Sequence, residues 1–317
     1  MGVVMVQSRL RWVRRLMVGV AMAAMAASAP ASAQRHNPVI RHPLEVARPH
    51  IDVVFVLDAT GSMGDEIEPV KQHIWNIANQ IASGNPRPEL RVGLVIYRDR
   101  GDAEPTRMVP LTGDLDQMHT ALMGVTAQGG GDYPEDVDAG LALALHEMNW
   151  GERSARMVFL VGDAPAQRYP EHDHDGLVRY AADRQIEVST IECSGLDARG
   201  RSEFAAIAQR THGMMTALTY AQDQQLADGR TQTILRQGGR VYVSDRRLTD
   251  EERSEGADVL SRRGLARPAR AAEVASAESD GAGRGRGAAP MAAPTNNIAG
   301  VITRRVQARA SSMGVAY

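Results

Sequence analysis

Cysteine is almost absent from this chain of 317 residues: Cys193 is the only one. No disulfide can form within the chain, so stability has to come from an apolar core or from a bound ion. A lone thiol at the end of the apolar run "IEVSTIEC" reads as a buried strand residue rather than a nucleophile. Aromatic residues are scarce at 4%, and the formal net charge is only −2. No basic stretch alternates with aromatics as a base-stacking groove requires, so nucleic-acid binding is not expected. No run beyond the first thirty-odd residues is long and apolar enough to span a bilayer, which takes about 20 residues. The apolar strands are not followed by G-x-G-x-x-G or G-x-x-x-x-G-K-[ST], and no G-x-S-x-G elbow occurs, so dinucleotide, P-loop and serine-hydrolase chemistry have no site. "HEMNW" at His146 lacks the second histidine of a zinc-protease helix.

The N-terminus has the pattern of an export signal. Arg9, Arg11, Arg14 and Arg15 precede the apolar stretch Leu16–Ala29, and "ASA" at Ala31–Ala33 supplies small residues for cleavage. The expectation is a signal peptide over 1–33, a mature start near Gln34, and residence in the periplasm or outside the cell.

From Ile51 to Tyr220 strand and helix patterns alternate. "IDVVFVL" is a continuous apolar run, as a strand covered on both faces requires. After it Ile67, Val70, Ile74, Ile77 and Ile81 form one helical stripe. "LRVGLVIY", "ARMVFLVGDAP" and "IEVSTIEC" read as further buried strands, and "RMVPLT", holding Pro110, as an edge strand. This alternation predicts an α/β fold: a doubly wound, mostly parallel sheet with one antiparallel edge strand, followed by a C-terminal extension. The expected layout is a lead-in over 34–50, the α/β domain over 51–220, an extension over 221–263, a flexible linker over 264–294 and a helix over 295–317. Within the extension "QQLADGRTQTILRQ" is expected to be helical and "GRVYVS" a short strand. The last helix spaces Ile298, Ile302 and Val306 on one face with Arg304, Arg305 and Arg309 elsewhere, and is expected to dock on the domain.

The chemistry lies at the strand ends. "VVFVLDATGSM" closes a buried strand on Asp58 and follows it with Thr60 and Ser62; "VFLVGDAP" closes another on Asp163. Ligands of an open parallel sheet bind beyond the carboxyl ends of its strands. In an extended turn alternate residues point the same way, so Asp58, Thr60 and Ser62 can face one point. The loop "AQGGGDYPED" can reach the same rim and offers Asp132, Glu135 and Asp136; by spacing to the following helix Glu135 is favoured. Oxygen donors without histidine or cysteine suit a hard cation, Mg2+ first, with Mn2+ or Ca2+ as alternatives.

At these residues the sequence resembles the von Willebrand factor type A domain family: "DATGSM" is similar to its D-x-[ST]-x-S motif, and "VFLVGDAP" to the strand bearing its last acid. The resemblance covers roughly 51–220. It implies a metal-ion-dependent adhesion site in which Thr60 and Ser62 bind Mg2+ directly, Asp58 and Asp163 act through water, and a carboxylate from a partner protein completes the octahedron. The family usually has a threonine in the middle loop; Glu135 in its place would donate charge to the ion and weaken its pull on a partner acid. The expectation is an exported, non-enzymatic binding protein whose partner exposes an Asp or Glu. The rival is a metal-dependent hydrolase, with Glu135 or His172 and His174 as its base; a third reading gives the tail the binding role. "EHDHD" at Glu171–Asp175 reads as a solvated loop and helix start rather than a second metal site, and "RGD" at Arg100–Asp102 as a chance tripeptide.

Overall fold

The computed structural model describes residues 50–84, 87–226, 228–253, 255–271, 273–274 and 295–312. The expected signal peptide and most of the lead-in lie outside these residues.

Six strands form the main sheet: β1 (His50–Asp58), β2 (Glu89–Tyr97), β3 (Thr106–Thr112), β4 (Ala155–Gly162), β5 (Ile186–Glu192) and β6 (Met215–Ala217). Their order is β3-β2-β1-β4-β5-β6. All neighbours run parallel except β2 and β3, the antiparallel edge that holds Pro110. Six helices flank the sheet: α1 (Ile67–Ala82), α2 (Leu115–Met123), α3 (Val137–Ala142), α4 (His174–Asp183), α5 (Ala198–Arg210) and, from the far end of the chain, α8 (Ile298–Ser312).

The apolar run of β1 divides between two cores. Ile51, Val53, Phe55 and Leu57 face α1, α2 and α8, whereas Val54 and Val56 face α3, α4 and α5. Covering both faces is what removes polar alternation from the strand. On α1 the stripe Ile67, Val70, Ile74, Ile77 and Ile81 is buried as the spacing predicts. α3 widens into a π turn over Leu143–Glu147, which keeps Leu145 and then Met148 on the buried side.

Beyond β6 the chain departs from expectation. "QQLADGRTQTILRQ" is not helical. It contributes the end of β7 (Thr219–Gln225) and all of β8 (Thr231–Gln237), which pair as an antiparallel hairpin. The physical reason is local. Gly229 takes a positive φ of 82° in the connection, and Thr231, Thr233 and Ile234 are β-branched residues that fit a pleated surface. Ile234 and Leu235 face opposite sides of the hairpin and enter different apolar clusters. With β9 (Arg240–Ser244), β10 (Arg267–Pro268) and β11 (Thr295–Asn296) these strands form a second sheet of order β10-β9-β8-β7-β11, antiparallel throughout. The short helices α6 (Asp250–Arg253) and α7 (Ala257–Arg262) belong to this region, and Ala257 and Leu260 pack with Leu235 and Tyr242.

The linker expected from Gly264 is also corrected in its first part: Arg267 and Pro268 pair with Val243 and Tyr242, and Ala266 is buried. Residues 275–294 of it lie outside the described residues. The chain then re-enters the main domain. Ile302, Val306 and Ala310 of α8 join the core beneath β1, so the second sheet is inserted between the last main-sheet strand and the terminal helix.

Candidate metal centre

Strand order places β1 between β2 on one side and β4 on the other, so the connections leaving β1 and β4 diverge over opposite faces. The crevice at their carboxyl ends is the position where such sheets hold ligands. Asp58 ends β1 and Asp163 directly follows β4.

The turn after β1 begins with Thr60 in an extended conformation (φ −69°, ψ 165°) before a tight turn over Gly61–Asp65. Thr60 donates from both its backbone N (2.9 Å) and its Oγ1 (2.7 Å) to Asp58 Oδ1, and Thr60 Oγ1 lies 3.0 Å from Ser62 Oγ. The three side chains share one face, as their alternate spacing predicts. Asp58 and Thr60 are fully buried while Ser62 is exposed, so the trio runs from the interior to the surface.

Glu135 reaches the same place by a different route. Its backbone N donates to Pro165 O (3.1 Å), its O accepts from Gln167 N (2.7 Å), and it forms a parallel bridge with Ala166. The middle loop is thus zipped to the segment that follows Asp163. At the loop's other end Gly61 N donates to Gly129 O and Gln128 N to Ala59 O. Gly130 lies between the two halves with φ of 72°; a Cβ there would sit 2.8 Å from Thr60 Cβ and 3.0 Å from Glu135 Oε1. Glycine is required for both reasons.

Asp132 and Asp136 face elsewhere. Asp136 caps α3 by accepting from Ala139 N (3.1 Å). The Asp132 carboxyl is exposed and shares a hydrogen bond with that of Asp99, which raises its pKa. Of the three loop acids, Glu135 is the one held against Asp58 and Asp163.

Electrostatics mark the centre. Burial first, then the Asp163 charge, pushes the Asp58 pKa up to about 7. Burial and the charge of Asp58 push Glu135 up to about 8, and burial also raises Asp163. Buried atoms Asp58 Oδ2, Asp163 Oδ1 and Glu135 Oε2 have no hydrogen-bond partner of ordinary geometry, although the buried Tyr97 hydroxyl beside Asp58 favours its charged form. A buried carboxylate left unpaired is costly, and a nearby cation relieves that cost. Among the described residues no three carboxylate, imidazole or thiol groups are arranged to hold an ion by themselves. The donors on offer are mixed: the hydroxyls of Thr60 and Ser62 lie beside Asp58, with Asp163 and Glu135 close enough to raise its pKa or have theirs raised by it. This all-oxygen set fits a hard divalent cation.

Sequence reasoning missed the supporting layer. Buried Asp99 accepts from Tyr169 Oη (3.1 Å). Asp102, the acid of "RGD", accepts from Asp99 N (3.1 Å) and Gly130 N (2.9 Å), so its carboxylate braces the glycine loop. Position is the one signal they leave: "YRDRGD" starts on the last residue of β2, at the same rim. The side chains of "EHDHD" disperse. Glu171 pairs with Arg100, Asp173 with Arg179, Asp175 with Arg210, and His174 Nδ1 lies 2.6 Å from Asp138 Oδ1.

Similar proteins are known. The chain is 30% identical over 191 residues to von Willebrand factor A domain-containing protein 7 of Rattus norvegicus, covering 57% of this chain and 20% of that protein. It is 28% identical over 138 residues to alpha-protein kinase vwkA of Dictyostelium discoideum, covering 40% and 22%. The matched part thus spans about a fifth of these relatives. Among solved structures, proximal thread matrix protein 1 from the mussel byssus, with a zinc-occupied MIDAS motif, aligns over 54% of this chain and 42% of its own at TM-score 0.45 and 18% identity. Residues 52–231, more than half of the chain and including both strand-end motifs, match the family described as von Willebrand factor A domain, and the chain belongs to that family.

Proposed function

We propose that this protein is an exported, non-enzymatic binding protein that holds a divalent cation, Mg2+ by preference, through Thr60, Ser62, Asp58, Asp163 and Glu135, and uses it to grip an acidic group on another protein. The observation that carries this reading is the set of three buried carboxylate oxygens without a hydrogen-bond partner of ordinary geometry, drawn from three segments and set beside two hydroxyls. The ion supplies a positive charge at the surface end of the trio, where Ser62 is exposed to solvent and a partner carboxylate has access. Asp58 orients water and the Thr60 hydroxyl around the ion. Glu135 adds a third negative charge, so the pull on the partner acid is weaker than that of a centre with a neutral residue there. The export component rests on Arg9–Arg15 and "ASA"; among the described residues no helix is long and apolar enough to cross a membrane.

Calorimetric titration of the metal-free protein with Mg2+, Mn2+ and Ca2+ tests the ion. Asp58→Ala should abolish the binding heat and Ser62→Ala weaken it, while His172→Ala leaves it intact. A pull-down from envelope extract, with Mg2+ or with EDTA, tests the partner: recovered protein should be released by the chelator. Turnover of p-nitrophenyl phosphate by the ion-loaded protein would replace the binding reading by the hydrolytic one. No binding heat with any of the three ions would remove both.

A further inference from the structure

We infer that Arg98 is a positioning residue of this metal centre, the buried fork that holds the hydroxyl turn and the middle loop in register. The inference rests on the proposed ion site and names what builds it. Arg98 stands one residue beyond β2 and is 3% exposed. Its guanidinium donates Nε to Ala59 O (3.1 Å), Nη2 to Thr126 O (3.1 Å) and Nη1 to Glu104 O (2.9 Å). Three segments therefore meet on one side chain: the turn holding Asp58, Thr60 and Ser62; the approach to Gly129 and Gly130; and the β2–β3 connection.

The contact with Ala59 O matters most. The Ala59–Thr60 peptide is planar and trans, so its carbonyl and its N–H point in opposite directions. The carbonyl accepts from Arg98 and from Gln128 N (2.9 Å), and the N–H donates to Asp58 Oδ1 (2.9 Å). Arg98 fixes that plane from behind, and the plane fixes the Asp58 carboxylate in front. A planar guanidinium with five donors can serve three carbonyls at once; a lysine ammonium at the same place cannot reproduce the fork.

Lys71 provides the internal contrast. It is equally buried and donates to Met123 O (3.1 Å) and Val125 O (2.9 Å), also on the approach to the middle loop, and to the Glu68 carboxylate (2.5 Å) on its own helix rather than to the turn after Asp58. Its removal should harm stability without uncoupling that turn from the loop.

The test compares Mn2+ and Mg2+ affinity, by calorimetry on the full chain, with the melting temperature of the metal-free protein. Arg98→Lys, which keeps the charge, should weaken ion binding by about tenfold or more, the usual effect of losing a group that orients ligands. Lys71→Met should lower the melting temperature and leave the affinity within about threefold, since its Nζ donates to Met123 O and Val125 O and not to the turn that holds Asp58, Thr60 and Ser62. Arg98→Ala should regain affinity when methylguanidinium is added, because the cavity it leaves has the shape of that ion. If Arg98→Lys binds the ion as wild type does, or loses affinity only as Lys71→Met does, the inference is overturned while the ion site stands. Should Arg98→Ala fail to fold, Arg98→Lys and Arg98→Gln carry the comparison. If wild type itself binds neither ion, the site reading fails and this inference with it.

Discussion

Asp58 Oδ1 accepts two hydrogen bonds from Thr60, one from Oγ1 at 2.7 Å and one from N at 2.9 Å, while the other oxygen of the same carboxylate is buried with no hydrogen-bond partner of ordinary geometry. One half of the group belongs to the fold and the other half to whatever neutralises it. Asp58→Asn separates the two roles. The amide oxygen keeps both bonds from Thr60, and the charge that burial and Asp163 oppose is gone. In EDTA at pH 8 the variant should melt higher than wild type, by about 2–4 °C for each kcal/mol recovered. It should show no rise on adding Mg2+, whereas wild type rises by roughly 5–10 °C at a hundredfold excess over Kd. A variant that melts lower than wild type in EDTA would mean that Asp58 is a structural anion satisfied by the protein alone.

The pH dependence has a definite sign. Asp58 and Glu135 have folded pKa values of about 7 and about 8, raised from 3.8 and 4.5 chiefly by burial. Between these limits the folded protein holds protons that the unfolded chain releases, so their contribution to stability is complete below about pH 4 and is lost as pH rises to about 8. Metal-free protein should therefore lose stability across that window. Mg2+ replaces the protons, so its stabilising effect should grow over the same range and level off above about pH 8. Melting temperatures from pH 5 to 9, with EDTA and with Mg2+, should diverge as pH increases. Parallel curves would show that the ion does not displace the protons of these carboxyl groups.

What the sequence made legible follows from period and position. A strand buried on both faces has no polar residue to spare, so Asp58 and Asp163 at the ends of apolar runs stood out, and the alternation of Asp58, Thr60 and Ser62 gave their common face. Glu135 was legible only by its distance from the next helix; what selects it over Asp132 and Asp136 is the backbone zipper to Pro165 and Gln167, a contact between segments some thirty residues apart. Arg98 and Asp102 were not legible as parts of the centre because they act through backbone carbonyls and amides, which leave no side-chain pattern. The β7–β8 hairpin reads as helix from sequence because glutamine and leucine are good helix formers, and Thr231, Thr233 and Gly229 outweigh them only within a sheet.

Gly130→Ala should damage the centre more than the fold. The residue has a positive φ of 72°, and the new Cβ would meet Thr60 Cβ at 2.8 Å and Glu135 Oε1 at 3.0 Å. A cost of about 1–2 kcal/mol is expected from the backbone alone. Ion affinity should fall further, because relief of the clash moves Thr60 and Glu135 apart. Gly131→Ala is the matched comparison: nothing lies within 4 Å of its Cβ position, and it should behave as wild type. Equal affinities for the two variants would place Glu135 outside the ion's reach.

The terminal helix α8 should prove part of the main domain rather than a separable tail. Ile302, Val306 and Ala310 are at most 1% exposed and lie in the core that also holds Ile51, Val53 and Phe55 of β1. Its polar side is anchored as well: Thr303 Oγ1 donates to Gln80 Oε1 (2.8 Å) of α1, and Arg305 Nε to Glu187 Oε1 (2.5 Å) of β5. Glu187 is 3% exposed, so losing Arg305 leaves a buried carboxylate short of its partner. Ile302→Ala should cost about 2–5 kcal/mol, by lost transfer energy and the cavity left behind. Arg305→Ala should cost about 1–3 kcal/mol, because the buried Glu187 carboxylate is left with Ser189 Oγ at 3.4 Å and Arg309 Nε at 4.0 Å. Truncation after Ala269 removes both contributions, uncovers the β1 core and unpairs β7 from β11, so the shortened chain should unfold or aggregate. Chemical denaturation of the three variants beside wild type measures these costs. A truncated chain that unfolds at the same denaturant concentration as the full one would show that α8 contributes nothing to the domain, and would return its apolar face to the surface as a site for a membrane or a partner.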